Sequence, residues 1–212
     1  MIVDWYFDFV SPFAYLQFLR LPARPADTQI QFHPVLLAAV LNHWGQLGPA
    51  EIPPKRTFTY RHFVWRVRRA GLALRMPAGH PFNSLKLLRL ALAADCEPEI
   101  IGRLFRFAWQ DGHLPDDEQA WTRLVAEPAL AKAAARIEDP DVKEALRRNT
   151  EQAIERSVFG VPTAVADGQI FWGEDSTEML FDYLRDPGLF DDAEMRRVTA
   201  LPISAARVPR RK

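Results

Sequence analysis

The sequence predicts an α/β fold in which a βαβ unit at the start and a ββα unit at the end flank a large helical insertion. Three observations carry this. Val3, Trp5, Phe7 and Phe9 alternate with Asp4 and Asp8, the period of a strand with one buried side. From Lys55 to about Ile154 the apolar residues recur at helical spacing. Residues 163–166 and 169–172, joined by Asp167-Gly168, then read as a β-hairpin with a type I′ turn.

The elements follow in order. After the first strand, Ser11 has the chemistry of a helix N-cap and Pro12 the fixed φ suited to the first helical position, so a helix is expected over 12–21. A second strand is expected over 29–33, with Ile30 and Phe32 on one face. An apolar run over 35–41 leads to Gly45, and residues 45–54 have the glycine and proline density of an ordered loop. Tyr60, Phe63, Val64 and Val67 form a buried helical stripe that Gly71 stops. Asn83 can cap a helix through Leu88, and further helices should start near Pro98, Asp116 (a capping box with Gln119), Pro128 and Pro140. Asp175 with Glu178 makes another capping box, for a last helix ending near Leu184, and the chain beyond Pro202 reads as a loose tail. If the outer pieces share one sheet, the first two strands need a right-handed crossover and the hairpin adds two antiparallel strands. That is the layout of a thioredoxin-like fold with a large all-helical domain inserted between its βαβ and ββα halves. The expected division is 1–43 with 156–212 as the thioredoxin-like domain, and 44–155 as the insertion.

Composition narrows the function. Lysine plus arginine and aspartate plus glutamate number 27 each, which removes the net field that nucleic-acid or membrane-surface binding uses. The cluster Arg66, Arg68 and Arg69 fits a solvated helix face. No basic segment precedes an apolar run at the N-terminus, so no signal peptide is expected, and no stretch reaches the roughly 18 apolar residues of a membrane span. Cys96 is the sole cysteine, which excludes an internal disulfide and suits a reducing cytoplasm; its expected role is inert packing. His33, His43, His62, His80 and His113 are scattered without metal-ligand spacing, so no metal is expected. No phosphate loop is present, and Ser11 lies in no G-x-S-x-G elbow.

Three segments carry chemistry. Ser11, in Ser11-Pro12-Phe13-Ala14-Tyr15, points at a helix N-terminus, where unpaired N–H groups favour an anion. Val161-Pro162-Thr163, in Phe159-Gly160-Val161-Pro162-Thr163, enters a strand where thioredoxin-like folds place a cis-proline opposite that helix; its extended backbone can pair with a peptide-like ligand. Trp172-Gly173-Glu174-Asp175-Ser176 sets a carboxylate at another helix start, able to receive an ammonium group. Each segment also has a structural explanation: two caps and an edge-strand proline.

Together, these motifs resemble the 2-hydroxychromene-2-carboxylate isomerases, of the kappa-class glutathione transferase group in the DsbA-like branch of the thioredoxin superfamily. The resemblance runs from residue 1 to about 185 and includes residues 150–156 ahead of the proline turn. It implies glutathione as cofactor, with Ser11 hydrogen-bonding the sulfur and favouring the thiolate. Val161, before Pro162, would pair with the cysteinyl backbone; Asp175 and Ser176 would hold the γ-glutamyl end, and Gly173 and Glu174 would shape the turn. Ser11 and Ala14 occupy the two cysteine positions of a redox C-x-x-C pair, so a dithiol oxidoreductase is excluded. Two positions depart from the usual pattern. Gln46 stands where many relatives have asparagine, and Ser176 where many have arginine, whose bidentate carboxylate clamp serine cannot reproduce.

The implied reaction is reversible thiolate addition to a conjugated carbon of an aromatic, ring-openable carboxylate, followed by ring opening, rotation and release of glutathione. Phe82, Asn83 and Trp109 are the candidate substrate contacts. A homodimer is implied by the resemblance alone. A kappa-like transferase that conjugates an electrophile, and a non-enzymatic module that holds an extended peptide, are the alternatives.

Overall fold

Strand β1 (Ile2–Phe7) is the spine of the molecule. Its alternation sorts side chains between two cores: Val3, Trp5 and Phe7 join the main one, while Tyr6 joins a smaller one with Val35, Ala153, Val158 and Val165. The computed structural model describes residues 1–205 and contains one mixed sheet in the order β2-β1-β3-β4. Strand β2 (Gln29–Pro34) runs parallel to β1 with Trp5 opposite Phe32, reached through helix α1 (Pro12–Arg20). Strand β3 (Thr163–Ala166) pairs antiparallel with β1, and β4 (Gln169–Trp172) antiparallel with β3. Asp167 (φ 47°) and Gly168 (φ 80°) supply the two left-handed residues that a type I′ hairpin demands.

The insertion contains α3 (Pro53–Arg69), α4 (Leu85–Ala93), α5 (Pro98–Trp109), α6 (Glu118–Val125), α7 (Pro128–Ala134) and α8 (Pro140–Glu155), after the short α2 (Leu37–His43). Prolines start α3, α5, α7 and α8, where the missing N–H removes no helical bond. Phe105 of α5 joins insertion to sheet. The rings of Trp5, Phe7, Phe9, Tyr15 and Phe18 lie 4.7 to 6.4 Å from it, so the main core is continuous across both parts.

Several boundaries differ from expectation. Asp117, not Asp116, caps α6, because its Oδ1 accepts from the Gln119 and Ala120 N–H groups at 3.1 and 3.0 Å. Ser84 is the N-cap of α4, while Asn83 accepts from the Leu85 N–H at 3.1 Å. Residues 72–77, between the expected Gly71 stop and Asn83 start, are non-helical as those signals imply, and the His80–Pro81 bond that follows is cis. Asp175 does not cap α9 (Thr177–Arg185); a 3-10 turn over 174–176 leads into that helix instead. A further helix, α10 (Ala193–Thr199), was not anticipated, and Asp192 caps it. Most of the expected loose tail, 206–212, lies outside the described residues.

Candidate active site

The turn between β1 and α1 presents Ser11. Its φ and ψ of −87° and 114° are those of an N-cap, its N–H donates to Asp8 O at 3.0 Å, and its Oγ accepts from the Ala14 N–H at 3.2 Å. Each carbonyl of the turn has a partner. Trp109 donates its indole N–H to Phe9 O at 3.0 Å, and His80 Nε2 meets Val10 O at 2.7 Å. Beneath them, buried Asp8 accepts from the Val10 and Leu37 N–H groups, both at 3.0 Å. Burial pushes its carboxyl above the usual carboxylate range, against those hydrogen bonds and one from Ser84.

Opposite stands the proline turn. The Val161–Pro162 bond is cis, as the sequence motif predicts, and Val161 O lies 3.5 Å from Ser11 Oγ. That distance is the weak limit of a hydrogen bond, so the serine proton is easily redirected to a better acceptor. The β1–β3 ladder begins at Thr163, which leaves the Val161 backbone outside it. A Cβ on Gly160 would stand 2.7 Å from the indole nitrogen of Trp172, so glycine is required for that close approach.

The third segment is tied to both others. Gly173 N–H donates to Pro162 O at 2.9 Å, and buried Gln17 of α1 donates to Gly173 O at 3.0 Å and to Thr177 Oγ1 at 3.1 Å. Gly173 has φ 88°, and the Asp175 carboxylate fills the space a Cβ would need. These contacts bring Ser11, Val161, Pro162 and the turn over 173–176 together.

Their roles divide differently. Asp175 is exposed, and Ser176 donates its hydroxyl to Gly173 O at 2.8 Å. Glu174 is only 2% exposed and is engaged within the chain: Arg20 bonds its Oε1 at 2.9 Å, and Arg66 approaches Oε2 as an ion pair at 2.6 Å. Arg66 is therefore half-buried and ion-paired, whereas Arg68 and Arg69 are exposed. Gln46 is exposed in the loop after α2, and its side chain makes no hydrogen bond among the described residues. Phe82 is half-buried and Asn83 exposed. Trp109 is fully buried, so it backs Phe82 (6.0 Å between rings) and cannot itself line a cavity.

Three residues escaped sequence reasoning. Gln17 looked like an ordinary helix residue, Arg66 a surface cation, and His80 one scattered histidine. His80 Nδ1 meets Tyr60 Oη at 2.8 Å, and burial holds its imidazole below the usual range despite the Val10 contact. No local spacing signals any of these partners. Cys96 is half-buried and unpaired with any other thiol, and burial, then Asp95, pushes its pKa up to about 12. Among the described residues no group of three or more His, Cys, Asp or Glu side chains could hold a metal ion, and no helix is long and apolar enough to cross a membrane.

Residues 2–185 match the family described as the DSBA-like thioredoxin domain. A 2-hydroxychromene-2-carboxylate isomerase of Sphingobium xenophagum is 30% identical over 192 residues, spanning 87% of this chain and 98% of that protein. Glutathione S-transferase kappa 2 of Caenorhabditis elegans is 26% identical over 88% of this chain and 92% of its own. The solved structure of a 2-hydroxychromene-2-carboxylate isomerase superposes with a TM-score of 0.76 at 27% identity, covering 87% of this chain and 95% of the other. By this match over nearly the whole described chain, the protein belongs to the DsbA-like thioredoxin family and, within it, to the family of the 2-hydroxychromene-2-carboxylate isomerases.

Proposed function

We propose that the protein is a glutathione-dependent isomerase of an aromatic, ring-openable carboxylate, with Ser11 as its catalytic residue. The reading rests on the Ser11 hydroxyl at the positive end of α1, 3.5 Å from the Val161 carbonyl. The residues fit a peptide-like thiol: an unladdered Val161 backbone to pair with, a weakly engaged hydroxyl, and an exposed Asp175 carboxylate for an ammonium. Glutathione, when bound, supplies a thiolate that adds to a conjugated carbon and departs unchanged.

Ser11 donates its proton toward the sulfur and so favours the ionised form, assisted by the N-terminal N–H groups of α1. Val161 aligns the ligand backbone. Asp175 and Ser176 receive the γ-glutamyl end, on a turn that Gly173 and the Arg20–Glu174–Arg66 group hold in shape. Phe82 and Asn83 offer an aromatic wall and an amide to a planar acid. A homodimer and a cytoplasmic setting belong to the same reading.

Calorimetry should detect glutathione binding. Ser11→Ala should lower turnover about ten- to a hundredfold, the worth of one hydrogen bond to a charged group. Its unfolding free energy should fall by only about 1 kcal/mol, for the lost cap. Full turnover in that variant refutes the role of Ser11. Consumption of free glutathione during turnover would replace isomerase by conjugating transferase, the activity that the kappa relatives carry in their names.

A further inference from the structure

We infer that His80, steadied by Tyr60, holds the proton released when a thiol beside Ser11 ionises. This deepens the proposed function, since it rests on a thiol lying there. The argument is one of hydrogen-bond capacity. His80 Nε2 faces Val10 O at 2.7 Å, a pure acceptor, so Nε2 carries a proton. The other ring nitrogen, Nδ1, is 2.8 Å from Tyr60 Oη, and the same hydroxyl is 2.8 Å from the His80 carbonyl oxygen. Tyr60 has one proton for two acceptors. With the ring neutral, one of them goes without.

A proton added at Nδ1 resolves the shortage. Nδ1–H then donates to Tyr60 Oη, and Tyr60 donates to His80 O, so every polar atom of the group is paired. The network is one proton short in its resting form. Burial holds the imidazole below its usual range and opposes the charged ring by itself. An anion forming next to Val10 reverses that balance, and Ser11 is the next residue. In the ionisation, the thiol S–H bond breaks with its electron pair left on sulfur, and the proton ends on His80 Nδ1. The resulting imidazolium is a counter-charge to the sulfur.

The surroundings agree. Phe82 and Trp109 pack their uncharged rings 6.1 and 5.6 Å from the imidazole. On α3 the charged neighbour of Tyr60 is Arg56, which acts on the phenol. Under the turn, Asp8 is buried and bonded to backbone N–H groups. His80 is a proton-holding and positioning residue here, because it also clamps the carbonyl that precedes Ser11.

The test needs no glutathione. Ser11→Cys in a Cys96→Ala background places a thiol in the turn, and its pKa is read from the pH dependence of alkylation by iodoacetamide. His80→Gln keeps an amide N–H for Val10 O but cannot titrate. It should raise the midpoint by about one unit, a tenfold loss of thiolate at neutral pH, with Tyr60→Phe moving it the same way. An unchanged midpoint in folded His80→Gln protein overturns the inference. A second measurement uses the natural chain: histidine ring resonances followed by NMR, with and without saturating glutathione. An upward shift of the His80 midpoint on saturation supports the inference, and an unmoved one overturns it. Failure of glutathione to bind in calorimetry would sink the proposed function and leave the alkylation result standing.

Discussion

Glu174 and Gly173 are neighbours with opposite demands on substitution. Glu174 neutralises two guanidinium groups from different parts of the chain, Arg20 and Arg66, while almost fully buried. Glu174→Ala takes this partner from Arg66 and leaves Arg20 only Glu178, and it should cost about 2 kcal/mol of stability, seen as a lower urea midpoint. Gly173→Ala meets a left-handed backbone and the Asp175 carboxylate at once. It should cost about 1 kcal/mol or more and displace Asp175, so glutathione affinity measured by calorimetry should fall as well. Asp8 gives a pH signature. Its folded pKa lies above the unfolded value, so the stability it contributes is present at low pH and is lost as pH rises through the raised value. Urea unfolding of wild type and Asp8→Asn across that range should show the variant gaining relative stability toward neutral pH. Of these residues, Gly173 and Asp175 were legible from their motif. The burial of Glu174 was not, because nothing local says which cations will reach it.

At the scale of elements, short-range signals performed well and failed by single residues. The hairpin was legible because Asp167-Gly168 between two apolar runs leaves few other turns open. The start of α6 was displaced by one residue. Asp116 has the Gln119 of a capping box and Asp117 only the side-chain type of a cap, but the Asp117 N–H bonds Leu114 O at 3.0 Å, and that turn sets Asp117 in the extended conformation of a cap. Asp117→Ala should therefore lower the unfolding free energy by about 1 kcal/mol and Asp116→Ala by little, in paired urea titrations. The Gly71 stop and the Asn83 start bracket the non-helical chain over 72–77 and the turn beyond it that bears His80, but nothing local says what these residues bond to. Their hydrogen bonds run to α3, α5 and the Ser11 turn, partners no window of adjacent residues contains.

On the scale of the whole molecule, sheet and insertion share one core, and the insertion finishes the site. Phe105 touches five aromatic rings of the β1–α1 region, Trp109 and His80 hold the turn before Ser11, and Arg66 holds the turn before Asp175. Phe105→Ala should cost about 3–5 kcal/mol, and far- and near-UV circular dichroism should still report one coincident transition on heating. The sequence by itself determined the strand and helix periods, the serine cap, the proline turn and the hairpin, since each is written in residues a few positions apart. Only the tertiary structure decided that Gln17, Arg66, His80 and Trp109 support that site, across separations such as the 70 residues between Val10 and His80 or the 156 between Gln17 and Gly173. Contacts of that span depend on how the insertion packs against the sheet, and side-chain packing leaves no periodic trace in the chain.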